Sequence, residues 1–131
     1  MQSKYSFVCD GANISTTGKL NVLGIFRKIN LGKVPFKYPQ MSFVSGIEFD
    51  ISETGKHRFK LRFIDGNGKE LIAPLGGDII VNANNLFANI HVVLNGINIP
   101  DTGRYEIYLT IDDQLICEES IRVDMIKSQQ H

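Results

Sequence analysis

Apolar and polar residues alternate with a period of two along most of this chain. Met41, Phe43, Ser45, Ile47, Phe49 and Ile51 alternate with Ser42, Val44, Gly46, Glu48 and Asp50. Such a pattern predicts a strand with one face in a core. Phe59, Leu61 and Phe63 alternate in the same way with Arg58, Lys60 and Arg62. Leu86, Ala88, Ile90, Val92 and Leu94 alternate with Phe87, Asn89, His91 and Val93, and Tyr105, Ile107, Leu109 and Ile111 with Glu106, Tyr108, Thr110 and Asp112. No window carries a helical period of useful length, so the chain reads as all β.

Turn residues fall between these segments. D-G-N-G-K (Asp65 to Lys69) separates His57 to Ile64 from Glu70 to Ala73, and Gly and Asn supply the positive φ of a tight hairpin. D-D-Q (Asp112 to Gln114) separates Tyr105 to Ile111 from Leu115 to Val123, a second hairpin. Leu20 to Leu31 reads as one strand with a bulge near Gly24, and Tyr5 to Cys9 as a short first strand. Two stretches read as irregular: Gly32 to Gln40, whose prolines Pro35 and Pro39 argue against a central strand, and Ala73 to Asp78. Seven to nine short strands punctuated by turns predict an antiparallel β-sandwich, one domain over residues 1–131.

Composition is that of a globular chain, with 43% hydrophobic and 21% charged residues. Lys plus Arg and Asp plus Glu both number 14, so the formal charge is zero. Interspersed signs at zero balance argue against a nucleic-acid or anionic-membrane surface, which needs a concentrated positive field. The first ten residues, M-Q-S-K-Y-S-F-V-C-D, have no signal-peptide h-region, and no apolar run approaches a membrane span. The expectation is a cytoplasmic protein. Its cysteines, Cys9 and Cys117, lack ligand spacing and read as reduced core thiols, with a disulfide left open if they stand on neighbouring strands.

The stretch Val92-x-Leu94-x-x-Ile97-x-x-x-Asp101-x-Gly103-x-Tyr105-x-Ile107 resembles the E strand, E–F corner and F strand of the immunoglobulin-like family. That resemblance implies a tyrosine corner, in which the Tyr105 hydroxyl returns to the backbone of the preceding turn, Asp101 ties the turn and Gly103 allows the bend. It also aligns Met41 to Ile51 with strand B and Phe59 to Glu70 with strand C and its following turn, with Leu61 or Phe63 where antibody domains keep a tryptophan. The chain has no Trp, and Ile107 stands at the usual F-strand cysteine position, so the likeness is to a sandwich without the B–F disulfide. G-K-L-x-V-x-G-I-F (Gly18 to Phe26), Y-P-x-M (Tyr38 to Met41) and G-R-Y-E-I-x-L-x-I-D (Gly103 to Asp112) resemble a bacterial family of small uncharacterised proteins, which supports the fold and implies no activity.

Catalytic and metal chemistry find little purchase. His57, His91 and His131 share no catalytic or ligand spacing, and Cys117 with His91 has no supporting group that marks a nucleophile pair. In D-G-N-G-K-E, Lys69 replaces an oxygen ligand and the bidentate Glu of a calcium loop is missing. L-G-G-D (Leu75 to Asp78) lacks the strand, Lys-Ser/Thr and helix of a phosphate cradle. No cofactor, metal or catalytic residue is therefore assigned.

Candidate contacts with a partner are more numerous. Arg58, Lys60 and Arg62 put three positive charges on one strand face, a solvated exterior in the first reading and a stripe for an acidic partner in the functional one. Phe36 and Tyr38, between Pro35 and Pro39, read first as cover for an open end of the sandwich and otherwise as an aromatic grip. Phe87, His91 and Val93 with Tyr108 would make a contact patch if they are neighbours. The expected function is a non-enzymatic protein-binding or assembly module, including self-association, working through loops, an outer face or an edge strand. The alternative is a small-ligand binder with a pocket at one end of the sheets.

Overall fold

The structure is a computed structural model describing residues 1–126, so His131 lies outside the described residues. Two sheets pack face to face. One has four strands: β1 (Gln2–Ile14), β2 (Leu20–Phe26), β4 (Phe36–Glu48) and β7 (Phe87–Ile99), in the order β2-β1-β4-β7. The other has five: β3 (Lys28–Leu31), β5 (Gly55–Ile64), β6 (Leu75–Val81), β8 (Gly103–Ile111) and β9 (Gln114–Met125), in the order β3-β9-β8-β5-β6. A single 3₁₀ turn, Ile51–Glu53, is the one helical element among the described residues. All pairs are antiparallel except β3 with β9, which run parallel.

The period of two decides the core. Tyr105, Ile107, Leu109 and Ile111 on β8 all point inward and are buried, as do Leu61 and Phe63 on β5 and Ile90, Val92 and Leu94 on β7. With Met41, Phe43 and Ile47 they form one hydrophobic cluster between the sheets. No buried side-chain nitrogen or oxygen among the described residues lacks a partner, as a buried polar group requires.

Several boundaries differ from the sequence reading. Leu20 to Leu31 is not one strand: β2 ends at Phe26, the chain crosses at Arg27, and β3 joins the opposite sheet. Gly24 takes φ +69° where a Cβ would collide with the Asp10 carboxylate, but the β1–β2 register runs past it without a shift, so the bulge expected near Gly24 is not there. The first strand is longer than Tyr5 to Cys9 because β1 extends into a hairpin with β2. Ile51 has left the strand for the 3₁₀ turn and is exposed. Glu70 to Ala73 forms only a single bridge, Glu70 to Ile64, and the pairing strand is instead β6, which begins in the stretch read as a loop. Its glycines permit this: a Cβ at Gly77 would stand 2.7 Å from the Phe59 ring, and one at Gly76 would stand 3.1 Å from the Phe59 carbonyl oxygen.

The proline-flanked stretch also becomes strand. β4 starts at Phe36 and is central, but β1 pairs with it only up to Ser42, so Phe36 to Gln40 pairs on one side alone, with β7. Pro39 is tolerated there because a locally single-sided ladder can spare its missing N–H. Opposite it, Gly96 has φ +59°, and across this pair both strands change phase: Leu94 and Ile97 on β7, and Met41 and Tyr38 on β4, face the same core.

Candidate functional site

The outward face of β4 is buried where the outer face of a sandwich is commonly exposed. Ser42, Val44 and Gly46 alternate with the inward Met41, Phe43, Ser45 and Ile47, yet all seven are buried. The cover is aromatic. A Cβ on Gly46 would collide with the rings of Tyr5 and Phe87, so glycine here is a seat for two side chains. Tyr5 stacks on Phe7 at 5.9 Å between centroids and meets Phe87 at 6.0 Å, and its hydroxyl bonds Asn89. His91 Nε2 lies 3.1 Å from the Ser42 hydroxyl, and Val93 beside it remains 41% exposed. Phe87, His91 and Val93 are thus on one face, joined by Tyr5 and Phe7. The alternation of two aromatics at the start of the chain signals that pair, although the sequence reading did not single it out.

Tyr108 is not part of this patch. It lies on the outward face of the five-stranded sheet, on the far side of the molecule, where its hydroxyl bonds Glu106 and it pairs with Arg62 across the ladder. The basic stripe occupies the same outer face and is largely neutralised: Arg62 Nε donates to Glu70 at 2.7 Å, and Arg58 lies 3.5 Å from Asp78, which Lys56 also meets at 3.3 Å. Lys60 faces Gly76 and Thr110.

β7 is a free edge. It ends the order of its sheet, pairing with β4 on one side alone, and its 13 residues, F-A-N-I-H-V-V-L-N-G-I-N-I, include no Asp, Glu, Lys or Arg. Edge strands are ordinarily blunted by charge, proline or shortness, and β7 has only the Gly96 kink. Near Phe87 it borders a concavity of about 370 Å³ shared with Ile14 and Gly18 of the β1–β2 hairpin and with Ile80 of β6, itself 71% exposed.

Phe36 and Tyr38 are half-buried against the core, with Tyr38 6.3 Å from Phe26 and 6.4 Å from Phe36 between ring centroids. Together they wall a surface groove of about 490 Å³ where β2 passes into β3. A larger furrow, about 920 Å³, runs past Lys28, Asn30, Arg122 and Asp124, but the Asp124 carboxylate already meets Lys28 at 3.3 Å and Arg122 at 3.3 Å.

The turn before β8 closes on Tyr105. Its hydroxyl donates to the Asp101 carbonyl at 2.6 Å, the Thr102 N–H donates to Asp101 Oδ1 at 2.7 Å, and Gly103 has φ +136°. Burial is the main cause that raises the Tyr105 pKa, which keeps the phenol as the donor this bond needs.

The polar clusters are structural in arrangement. His57 Nε2 lies 2.5 Å from the Glu53 carbonyl and Nδ1 2.5 Å from Asp112 Oδ2. Two acceptors favour the doubly protonated ring, so the Glu53 carbonyl first and the Asp112 carboxylate second push its pKa up. Asp112 is held down in turn, chiefly by the Arg58 N–H and then by His57. This clamp fixes the β8–β9 turn to the 3₁₀ turn. Cys117 faces the interior, 3.6 Å from the Ser45 hydroxyl, with burial raising its thiol pKa, while His91 is on the opposite side of the four-stranded sheet. The two make no dyad, and both cysteines are free thiols. Asp65 spends its Oδ1 on the N–H groups of Asn67 and Lys69, both at 2.9 Å. Among the described residues no group of three or more His, Cys, Asp or Glu is placed to hold a metal ion, and no helix is long and apolar enough to cross a membrane.

Among solved structures the chain is similar to a glycosyl hydrolase family 2 member from Bacteroides cellulosilyticus DSM 14838, at 17% identity and TM-score 0.52, over 69% of this chain and 14% of that one. A second structure of a glycosyl hydrolase family 2 member from Bacteroides cellulosilyticus gives 16% and 0.51, over 79% and 16%. The Pseudomonas fluorescens alkylpurine DNA glycosylase AlkC, bound to DNA containing an abasic site analog, gives 9% identity and TM-score 0.49, over 91% and 30%, and carries no weight. At these identities the two hydrolase likenesses are of fold alone, and the chain spans a small part of each of these proteins. No curated protein matches the sequence. The model of a family of unknown function, DUF6941, matches residues 4–124, and the chain belongs to that family.

Proposed function

We propose that this chain is a bacterial, cytoplasmic protein-binding or assembly module without catalytic activity, and that it binds by strand addition at the free edge of β7. One observation carries the reading: a 13-residue edge with no charged side chain, beside the exposed Val93 and the Tyr5–Phe87 patch. Strand addition takes affinity from main-chain hydrogen bonds and specificity from alternate side chains, and β7 offers both. The two free thiols fit a reducing compartment. The sandwich is read as immunoglobulin-like, supported by the pairing of β4 with β7, the β9-β8-β5-β6 order, the parallel β3–β9 pair and the Tyr105 turn.

Affinity capture from the native host's lysate tests this, with the wild type beside Val93→Lys/Asn95→Lys. Both positions are exposed, and Lys is the charge that natural edges use against pairing. The double variant is expected to lose the proteins held by the wild type. Arg58→Glu/Arg62→Glu is expected to keep them, because those charges are already paired on the other sheet. Equal capture by the edge variant would contradict the assignment.

A second reading, a small ligand held in the groove walled by Phe26, Phe36 and Tyr38, draws support from those three adjacent rings. There Phe36 and Tyr38 would be the contact residues.

A further inference from the structure

We infer that the groove where β2 passes into β3 is a site for a small organic cation, an ammonium carrying alkyl groups, held by the rings of Phe26, Phe36 and Tyr38 and by the Asp10 carboxylate. The inference rests on the ligand-groove reading and adds the charge and chemical class of the ligand.

Strand geometry makes Asp10 the unexpected member of this groove. Val8, two places earlier, is buried in the core, and the β1–β2 register runs on from Val8 without a shift, so Asp10 shares the inward phase. A carboxylate in that phase would be costly inside a closed core. It is tolerated because β1 pairs with β4 only as far as Cys9, and beyond that residue the two strands part. The groove of about 490 Å³ lies at this parting, with Asp10 and Gly24 among its lining residues and exposed to solvent. Gly24 makes room for the charge: a Cβ there would stand 2.3 Å from Asp10 Oδ2.

Asp10 has no cation of its own. Lys28, which lines the same groove, is engaged by Asp124 at 3.3 Å. Among the described residues no Lys, Arg or His side chain forms an ion pair with Asp10. Its field nevertheless reaches the rings, since burial first and the Asp10 carboxylate second raise the pKa of the Tyr38 phenol.

The rings set the class of ligand. Tyr38 stands at 76° to Phe36 and at 41° to Phe26, so the groove has aromatic walls at different angles instead of one flat stack. The faces of such rings are negative and attract a cation. A bare primary ammonium is strongly hydrated and would exchange that shell for a single carboxylate. Alkyl groups on the nitrogen spread the charge over C–H surface that the rings can cover, which is how aromatic cages take quaternary ammonium ions. A metal ion fits less well, because no group of three or more His, Cys, Asp or Glu gathers among the described residues.

The test is a titration of the full chain with choline, and separately with its neutral isostere, in which a tert-butyl group replaces the trimethylammonium. NMR signals of the Tyr38 ring and the Asp10 amide report on the groove. Choline is expected to shift both saturably and to bind about tenfold more tightly than the isostere. Asp10→Asn, a change of charge at an exposed position, is expected to weaken choline about tenfold and to leave the isostere unchanged. Should that variant fail to fold, the wild type's preference between the two ligands carries the test. An isostere that binds as tightly as choline would overturn the cation site and leave a ligand groove standing. Choline binding that Asp10→Asn leaves intact would overturn the role of the carboxylate, and with it the site as assigned. Signals that neither ligand moves would overturn the cation site together with the ligand-groove reading.

Discussion

Phe43→Ala is expected to lower folding stability by about 3–5 kcal/mol. Phe43 is fully buried on the central strand of its sheet, opposite Val8 of β1 and Val92 of β7. Three strands therefore close over one ring, and a cavity between two sheets held by ladders on both sides has little room to collapse. Urea denaturation measures the loss as a lower midpoint at unchanged slope. A loss below about 1 kcal/mol would mean that the sheets relax into the space and that the interior is less tightly held than its burial indicates. The same truncation matters for the working surface, because Val92, the inward neighbour of His91, is seated against this ring.

Tyr105→Phe is expected to cost about 1–3 kcal/mol, although it removes a single oxygen. The Asp101 carbonyl accepts from that hydroxyl at 2.6 Å, and the substitution leaves this acceptor with no donor at a turn that the chain uses to pass from one sheet to the other. The ring itself stays packed edge-on to Phe63, with centroids 6.3 Å apart, so the loss isolates the hydrogen bond from the packing. A change near zero in chemical denaturation would show that water replaces the hydroxyl and that the turn is held by Asp101 and Gly103 alone.

The strands that alternate cleanly were the legible ones. Tyr105 to Ile111 and Phe59 to Phe63 each bury one face, so burial and sequence share a period. β4 was harder to bound because the aromatic cover buries its outward residues too, and a strand buried on both faces loses its alternation of exposure. β6 was hidden because Gly76 and Gly77, which read as loop residues, are instead required by close approach to Phe59. The break at Arg27 left no mark, since two strands in opposite sheets read through the same apolar run as one strand with a bulge.

The candidate surface was legible in part. Phe87, His91 and Val93 stand out as apolar or amphipathic residues in outward phase, and the structure gathers them, but Tyr108 shares their phase and lies on the other sheet. Phase along a strand says which residues face together and is silent about which sheet they face from. Strand order is equally invisible in the chain, so the uncharged run from Phe87 to Ile99 acquires its meaning only once β7 is seen to end its sheet. The basic stripe shows the reverse. Its three cations are plain in sequence, and so is the turn that returns Glu70 to Arg62, while Asp78, which faces Arg58, comes from a stretch that reads as a loop.

The central claim is that the outer edge of β7 is a binding edge, and hydrogen exchange at single backbone amides from Phe87 to Asn95 addresses it most directly. An edge strand paired on one side alone presents every second N–H outward, so dilute protein is expected to show alternating slow and fast amides along this segment. In concentrated protein, or with a captured partner at saturation, the fast set is expected to slow while the rest of the chain keeps its rates. Amides that stay fast with the partner bound would contradict strand addition at β7.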